Sequence, residues 1–180
     1  MGGGQPEVVL QPFSANDFAR LIGWIPTTQA LVQWAGPSFH FPLDPGQADE
    51  YLKPARGPSP MRRIFRAVSP PADEVVGHID LSNIDPENRV ASVCRVLIDP
   101  ARRGLGLGEQ MVRQVVRIGF DELHLHRLDL RVFDFNTPAI ACYEKVGFVR
   151  EGRLRDWVRM QDTYWSVLVM SMLETDRYEG

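Results

Sequence analysis

The sequence is poor in several features that would point to a particular class of protein. It has two cysteines in 180 residues, Cys94 and Cys142, and neither belongs to a CxxC or other zinc-binding pattern. Both lie in apolar stretches, so we interpret them as buried free thiols in a reducing, cytoplasmic setting. Neither a disulfide framework nor a metal site is therefore expected.

Long apolar runs and a strong charge bias are also missing. No stretch approaches the ~20 apolar residues of a membrane span. The first residues show neither a secretory signal nor a complete myristoylation pattern, since Pro6 stands where a Ser or Thr is needed. The net charge is only −3, and a slightly acidic chain is a poor non-specific binder of nucleic acid or anionic membrane. We expect neither as a partner.

Proline divides the chain unevenly. Most of the 14 prolines lie in the first 71 residues, and beyond Pro100 only Pro138 remains. The composition, with 44% hydrophobic and 24% charged residues, is that of an ordinary globular chain. Because there is no internal repeat and no long polar linker, we predict a single domain over 1–180. It comprises a loop-rich, helical N-terminal arm on the substrate side over 1–60 and a regular core over 61–173.

Apolar spacing predicts the order of the elements. The arm should contain short helices capped by Ser14 and by Thr27 or Thr28, and a third helix at about 45–52. The core then alternates strands at 61–68, 74–81 and 89–98, a helix at 104–120, a strand at 128–133, a helix at 137–146, and strands at 148–153 and 165–173. A polar segment should separate the last two strands. This order predicts an α/β (α+β) fold with a mixed, mostly antiparallel sheet of about six to seven strands.

The most informative stretch leads from the end of the third core strand into the long helix. It reads VLIDPARRGLGLG over 96–108, a strand end, a proline turn and a glycine-rich loop. Glycines let a ligand approach the backbone closely, and the free N–H groups at a helix start favour an anion. We therefore predict a phosphate or pyrophosphate site. It is not a Walker A loop, since Gly108 is followed by Glu109, and the glycine spacing does not fit a dinucleotide fingerprint.

This loop resembles that of a known enzyme family. The pattern Arg103-x-x-Gly106-x-Gly108, between a strand and a helix, resembles the acetyl-coenzyme A loop of the GCN5-related N-acetyltransferase (GNAT) superfamily. The resemblance continues over 119–153, where Asn136, a helix with Tyr143, and a Gly-Phe pair follow one another. It is closest to the ribosomal-protein N-terminal (RimJ/RimL-like) acetyltransferase branch and spans roughly 61–173. It implies a GNAT-like domain whose central sheet is splayed in the middle and flanked by helices.

The resemblance implies an acyltransferase of class EC 2.3.1. The enzyme would transfer an acetyl group from acetyl-CoA, its co-substrate, to a primary amine by direct attack in a ternary complex, without a metal. The expected acceptor is the α-amino group of a protein or peptide N-terminus. The alternatives are a small antibiotic or polyamine amine, or a non-catalytic acyl-CoA-binding sensor. Because family members are often dimers, the resemblance also allows a homodimer.

The resemblance further implies which residues hold the cofactor. The pantetheine arm would pair with the strand edge at Val96, Leu97 and Ile98, where the sheet opens between 89–98 and 128–133. Asn136 would contact the same arm and is also expected to cap the following helix. The pyrophosphate would lie on the loop, which consists of Arg102, Arg103, Gly104, Leu105, Gly106, Leu107 and Gly108.

Catalytic and acceptor residues follow with less distinctive patterns. Tyr143 is implied to be the general acid that protonates the leaving thiolate, with core packing as the alternative. His78 and Asp80 are weak candidates for the base that takes the amine proton; an ordinary polar patch and a water relay are the alternatives. Trp34 and Trp157 are expected to bind the substrate, although large aromatics are often core residues.

Overall fold

Seven strands form a single sheet in a computed structural model, which describes residues 7–178. In chain order they are β1 (Val9–Pro12), β2 (Arg62–Ser69), β3 (Glu74–Asp85), β4 (Val90–Ile98), β5 (Arg127–Phe133), β6 (Val149–Met160) and β7 (Thr163–Leu173). The spatial order is β1-β2-β3-β4-β5-β7-β6, and among the described strands only β4 and β5 pair in parallel. The predicted mixed, mostly antiparallel sheet is therefore confirmed.

Within residues 7–178, five α-helices cover the two faces of this sheet. They are α1 (Phe18–Trp24), α2 (Thr28–Ala35), α3 (Gly46–Leu52), α4 (Leu107–Arg117) and α5 (Thr137–Val146). The cap predicted for α2 is present, since the Thr27 hydroxyl accepts a hydrogen bond from the Ala30 backbone N–H. α5 has the predicted bounds and ends at Gly147, whose φ of 120° suits glycine.

The alternation of side chains along β3 assigns each face of the sheet to its helices. Ile79 and Leu81 point into the core that α4 and α5 cover, whereas His78 and Asp80 point to the face covered by the arm. The arm helices contribute a second core, which includes Phe18, Leu21, Leu31, Trp34, Tyr51 and Ile64. The sheet therefore separates a large apolar core from a smaller, aromatic one.

The sheet opens between its two parallel strands. β4 and β5 pair only from Val90 to Ser92, against Arg127 to Asp129. Beyond Ser92, β4 pairs with β3 alone and β5 pairs with β7 alone. The predicted splay is thus present, and the β5-side edge of β4 is free of strand partners within the described part of the chain.

Three features differ from the sequence-based expectations. β1 was not predicted, because four residues are too few for a period of two to be recognised. The polar segment expected between the last strands is instead part of a long hairpin, since β6 runs to Met160 and β7 begins at Thr163. As an edge strand, β6 exposes most of its side chains, so its charged residues concealed the strand. α4 begins at Leu107 rather than 104, because Gly104 and Gly106 have left-handed backbone.

None of the helices within residues 7–178 is both long enough and apolar enough to cross a membrane.

Candidate functional site

The glycine-rich loop lies directly at the start of α4. Gly104 and Gly106 have φ of 80° and 76°, a conformation that side chains other than glycine rarely adopt. A Cβ on either would have no neighbour within 4 Å, so the loop surface is open. Gly106 is the N-cap residue of α4, and no side chain caps the helix. The first N–H groups of α4 are therefore available to an anion, as predicted.

The two arginines before the loop differ in their surroundings. Arg102 pairs with Glu74 of β3, and this contact raises the pKa of its guanidinium. Arg103 is exposed and forms no ion pair with any residue of the described range. The uncompensated positive charge at the loop thus comes mainly from Arg103 and the helix dipole.

The open edge of β4 leads to this loop. Leu97 packs against the arm core, whereas Val96 and Ile98 pack against the core under α4. The side chains of these three residues are thus held by the two cores. Their backbone has no strand partner on the β5 side. Such an edge can accept an extended ligand as an additional strand.

Asn136 and Tyr143 lie on the other side of the opening. Asn136 directly precedes α5, and Tyr143 is part of this helix. Asn136 holds the N-cap position, but its side chain makes no capping hydrogen bond, so its amide is available. Tyr143 is 8% exposed and packs edge-on against Phe148. Burial, together with the neighbouring Cys142 and Cys94 thiols, raises the pKa of Tyr143, so its hydroxyl is protonated at neutral pH. A protonated phenol can donate to a developing thiolate.

His78 and Asp80 belong to a buried polar cluster between the arm and the sheet. The Tyr51 hydroxyl of α3 lies 2.7 Å from Asp80 Oδ2 and 2.9 Å from His78 Nε2. An Arg95 guanidinium N–H donates to the same Asp80 oxygen at 2.8 Å, and the Ser82 hydroxyl donates to the other oxygen at 3.1 Å. His78 and Asp80 are 1% and 0% exposed. This burial agrees with the polar-patch alternative.

The protonation state of His78 follows from its neighbours. Its Nδ1 lies 2.9 Å from the Arg95 carbonyl oxygen, which can only accept, so Nδ1 carries the proton. Burial lowers the pKa of His78 to about 4, against an opposing effect of Asp80, so the ring is neutral at pH 7. Its Nε2 then has no proton and competes with Asp80 Oδ2 for the single proton of the Tyr51 hydroxyl. His78 is therefore a fixed hydrogen-bond donor to the Arg95 backbone.

Tyr51 and Arg95 were not among the residues selected from the sequence. The one available signal was Arg95 itself, a charged residue within the apolar run VCRVLI. Tyr51 had no comparable signal, because an aromatic residue in a predicted helix is usually a core residue.

The two tryptophans expected on the substrate side lie on different elements. Trp34 of α2 is 8% exposed, stacks on Phe39 at 5.4 Å, and donates its indole N–H to the Arg95 carbonyl at 2.9 Å. Trp157 of β6 is 48% exposed, and the Arg131 guanidinium lies 4.9 Å from its ring centroid. Trp157 also lines a surface depression of about 620 Å³ with Arg153, Leu154, Arg155 and Asp156. Trp34 thus supports β4 from behind, whereas Trp157 is open to solvent.

Metal chemistry has no candidate site in the described range, where no group of three or more His, Cys, Asp or Glu side chains could hold an ion. The other residues form a consistent set: an anion-binding loop, an open strand edge, an amide and a phenol around one opening of the sheet. This set can bind an extended phosphorylated ligand and donate a proton to it.

Comparison with known proteins agrees with this arrangement. Residues 28–148 match the model of the acetyltransferase (GNAT) family. The SPbeta prophage-derived uncharacterized N-acetyltransferase YokL of Bacillus subtilis is 28% identical over 75% of this chain and 74% of its own length. The putative ribosomal N-acetyltransferase YdaF of B. subtilis is 27% identical over 96% of this chain and 92% of its own.

Among solved structures, the chain is similar to the spermidine N-acetyltransferase of Vibrio cholerae in complex with CoA and spermine. The TM-score is 0.81 with 20% identity, over 94% of this chain and 96% of the other. At this identity the likeness is one of fold.

Proposed function

Since the chain belongs to the acetyltransferase (GNAT) family and is an acyltransferase, we propose that it transfers the acetyl group of acetyl-CoA to the primary amine of a small molecule. The observation that carries the proposal is the β4 edge, free of strand partners beyond Ser92, which ends at a loop with two left-handed glycines. The proposed roles of the residues around this opening follow from their chemistry.

Acetyl-CoA has a pyrophosphate and a pantetheine arm with two amides, and the opening has matching groups for both. The N–H groups at the start of α4, together with Arg103, suit the pyrophosphate. The backbone of Val96–Ile98 suits the pantetheine amides as an added strand, and the unengaged Asn136 amide lies across the opening. Arg102 has a smaller role in this proposal, because Glu74 already neutralises its charge.

The acceptor amine must be neutral to attack the thioester carbonyl. An alkyl amine has a pKa near that of lysine, about 10.4, compared with about 7.7–8.0 for an α-amino group, so a small alkyl amine needs more help in losing its proton. His78 and Asp80 are buried behind β4 and engaged by protein partners. We therefore propose that water in the opening takes the amine proton and that Tyr143 donates to the departing thiolate.

Two observations bear on the acceptor. The similar solved structure carries spermine, a small amine, which supports a small-molecule acceptor. The similarity to a putative ribosomal N-acetyltransferase over 96% of the chain supports a protein N-terminus as the second candidate. In both cases we propose that the arm and the β6–β7 hairpin, with the exposed Trp157, supply the acceptor side.

The charges near the opening refine the expectation within small amines. Asp80 pairs with Arg95, Asp134 pairs with Arg153, and Asp129 accepts the Ser92 hydroxyl. A polycation binds best to carboxylates that have no cationic partner. Of these three carboxylates Asp129 alone has no cationic partner among the described residues, so we expect a small amine of low charge to be acetylated faster than spermine.

Release of free CoA thiol from acetyl-CoA tests the proposal. The panel would contain monoamines, spermidine, spermine, an antibiotic amine and peptides with ribosomal-protein N-termini. Turnover of at least one small amine with kcat/KM above that of every peptide supports the proposal. A higher kcat/KM for a peptide would overturn the small-molecule acceptor in favour of a protein N-terminus. Binding of acetyl-CoA without turnover of any acceptor would refute the proposed acetyl transfer.

A further inference from the structure

Arg95 has an unusual backbone conformation at the centre of the opening. Its φ is 52°, in the left-handed region, which is unfavourable for a residue with a Cβ. It lies in a β-bulge: His78 pairs with Leu97 and Asp80 with Cys94, so that Arg95 and Val96 are opposite Ile79 alone. Bulges and strained residues occur next to active sites, where the surrounding contacts hold them in place.

Two side chains from different elements hold the Arg95 carbonyl oxygen. The indole N–H of Trp34 on α2 and the Nδ1–H of His78 on β3 both donate to it, each at 2.9 Å. Both side chains are almost completely buried, so neither donor can exchange its bond for one to water. The carbonyl is therefore fixed from the side of β3 and the arm.

The same cluster holds the donors and the Arg95 side chain. Tyr51 contacts His78 Nε2 at 2.9 Å and thereby fixes the orientation of the imidazole. The Arg95 guanidinium pairs with Asp80 and lies over the Tyr51 ring, 5.4 Å from its centroid. Arg95 Nε is the one buried side-chain nitrogen or oxygen within residues 7–178 that has no hydrogen-bond partner. The fold thus accepts both backbone strain and an unpaired donor at this residue.

A trans peptide is planar, so its N–H points opposite to its carbonyl. With the Arg95 carbonyl held by side chains of β3 and the arm, the Val96 N–H is directed away from both. We propose that Trp34 and His78 are positioning residues, which fix the Arg95–Val96 peptide so that the Val96 N–H donates to the thioester carbonyl. The inference rests on the proposed acetyl transfer.

Removal of one donor should loosen this peptide and weaken the stabilisation of negative charge on the carbonyl oxygen. Deleting an oxyanion-hole donor itself costs about 10²–10³-fold in kcat, and indirect loosening should cost less. For Trp34→Phe, which keeps an aromatic ring but lacks the N–H, we expect kcat to fall about 10-fold, with KM for acetyl-CoA and the dissociation constant of CoA nearly unchanged.

Phe39→Leu is the matched control. Phe39 stacks on Trp34 but has no polar group that could hold the Arg95 carbonyl, so this variant should lower Tm while leaving kcat within about twofold. A second pair of variants tests the inference if Trp34→Phe folds poorly. His78→Asn retains a donor near Nδ1 and should keep most of kcat, whereas His78→Leu lacks a donor and should lose it. Equal kcat losses within either pair, or full kcat in Trp34→Phe, would overturn the inference.

A spectroscopic measurement separates this inference from the proposed function. Infrared spectra of bound acetyl-CoA, labelled with ¹³C at the acetyl carbonyl, report the hydrogen bond without any acceptor amine. The carbonyl band should lie at higher frequency in Trp34→Phe than in the wild type. Unchanged frequencies would refute the positioning role even if the wild type acetylates amines. If the band shifts in Trp34→Phe although the wild type turns over no acceptor amine, the proposed function alone is refuted.

Discussion

Tyr143 combines a buried aromatic ring with a hydroxyl that carries its proton at neutral pH. Its hydroxyl is kept protonated by the surrounding apolar core, which raises its pKa, and it forms no hydrogen bond to any residue of the described range. The sequence predicted the position of Tyr143 on α5 but left core packing as an alternative. The ring is a core residue, whereas the acid role of its hydroxyl stays a prediction.

Tyr143→Phe tests the acid role. Removal of the hydroxyl should lower kcat by one to a few orders of magnitude. The larger of these losses correspond to the contribution of about 10²–10⁴-fold that general acid catalysis makes. The ring remains, so packing against Phe148 and Tm should change little. Steady-state kinetics and thermal unfolding provide the two measurements. Retention of the full rate would exclude Tyr143 as the acid.

At the scale of elements, the loop and α4 are joined by glycines with different tasks. Gly104 and Gly106 need their left-handed backbone, whereas Gly108 has ordinary helical conformation and a Cβ there would lie 3.8 Å from Cys142 Sγ. The sequence spacing identified all three as ligand-approach positions. Only the dihedral angles distinguish the two that shape the loop from the one that lies inside the helix.

Gly106→Ala and Gly108→Ala form a matched pair. Alanine at the left-handed position 106 should lower the free energy of unfolding by about 1–2 kcal/mol. Alanine at position 108 should leave the free energy unchanged or raise it by up to about 1 kcal/mol, because helix propensity improves. Urea unfolding without ligand measures both. A comparable loss in both variants would contradict the assigned conformations.

The strands show where local patterns fail. β2, β4 and β5 were predicted within one or two residues because buried strands have apolar, β-branched sequences. β6 was cut short, because an edge strand with charged side chains on both faces has no apolar alternation. Its pairing with β7 is a long-range property that the local sequence does not contain.

At the scale of the whole molecule, the arm and the sheet are connected by buried polar contacts. Tyr51 and Trp34 from the arm meet His78, Asp80 and Arg95 from the sheet. A neutral, buried His78 links this interface to pH. The unfolded chain binds a proton at His78 below its ordinary pKa of about 6.5, whereas the folded protein binds it only near 4.

Stability should therefore fall as the pH decreases from 6.5 toward 4, because the unfolded state binds the additional proton. Between pH 7 and pH 5 this group alone should cost about 2 kcal/mol of unfolding free energy by the linkage relation. Urea unfolding at both pH values measures the loss in the wild type. In His78→Asn, which cannot titrate, the loss should be smaller by that amount. An identical pH dependence would contradict a neutral, buried His78.

The sequence by itself determined the order of most elements, the glycine-rich loop after β4, and the class of enzyme. These features depend on residues close together in the chain: apolar periodicity, glycine spacing, and the Asn136–Tyr143 interval. Only the tertiary structure decided that β4 and β5 separate beyond Ser92 and that Arg102 is neutralised by Glu74.

The tertiary structure also decided the role of the N-terminal arm. It brings Trp34 and Tyr51 against His78 and Arg95, residues separated by 27 to 61 positions in the chain. Such contacts depend on how α2 and α3 pack across the sheet, and no local periodicity specifies that packing. Trp34 is one of the aromatic residues that the sequence suggested for substrate binding. In the structure it instead donates a hydrogen bond to the backbone of β4 from the side of the arm.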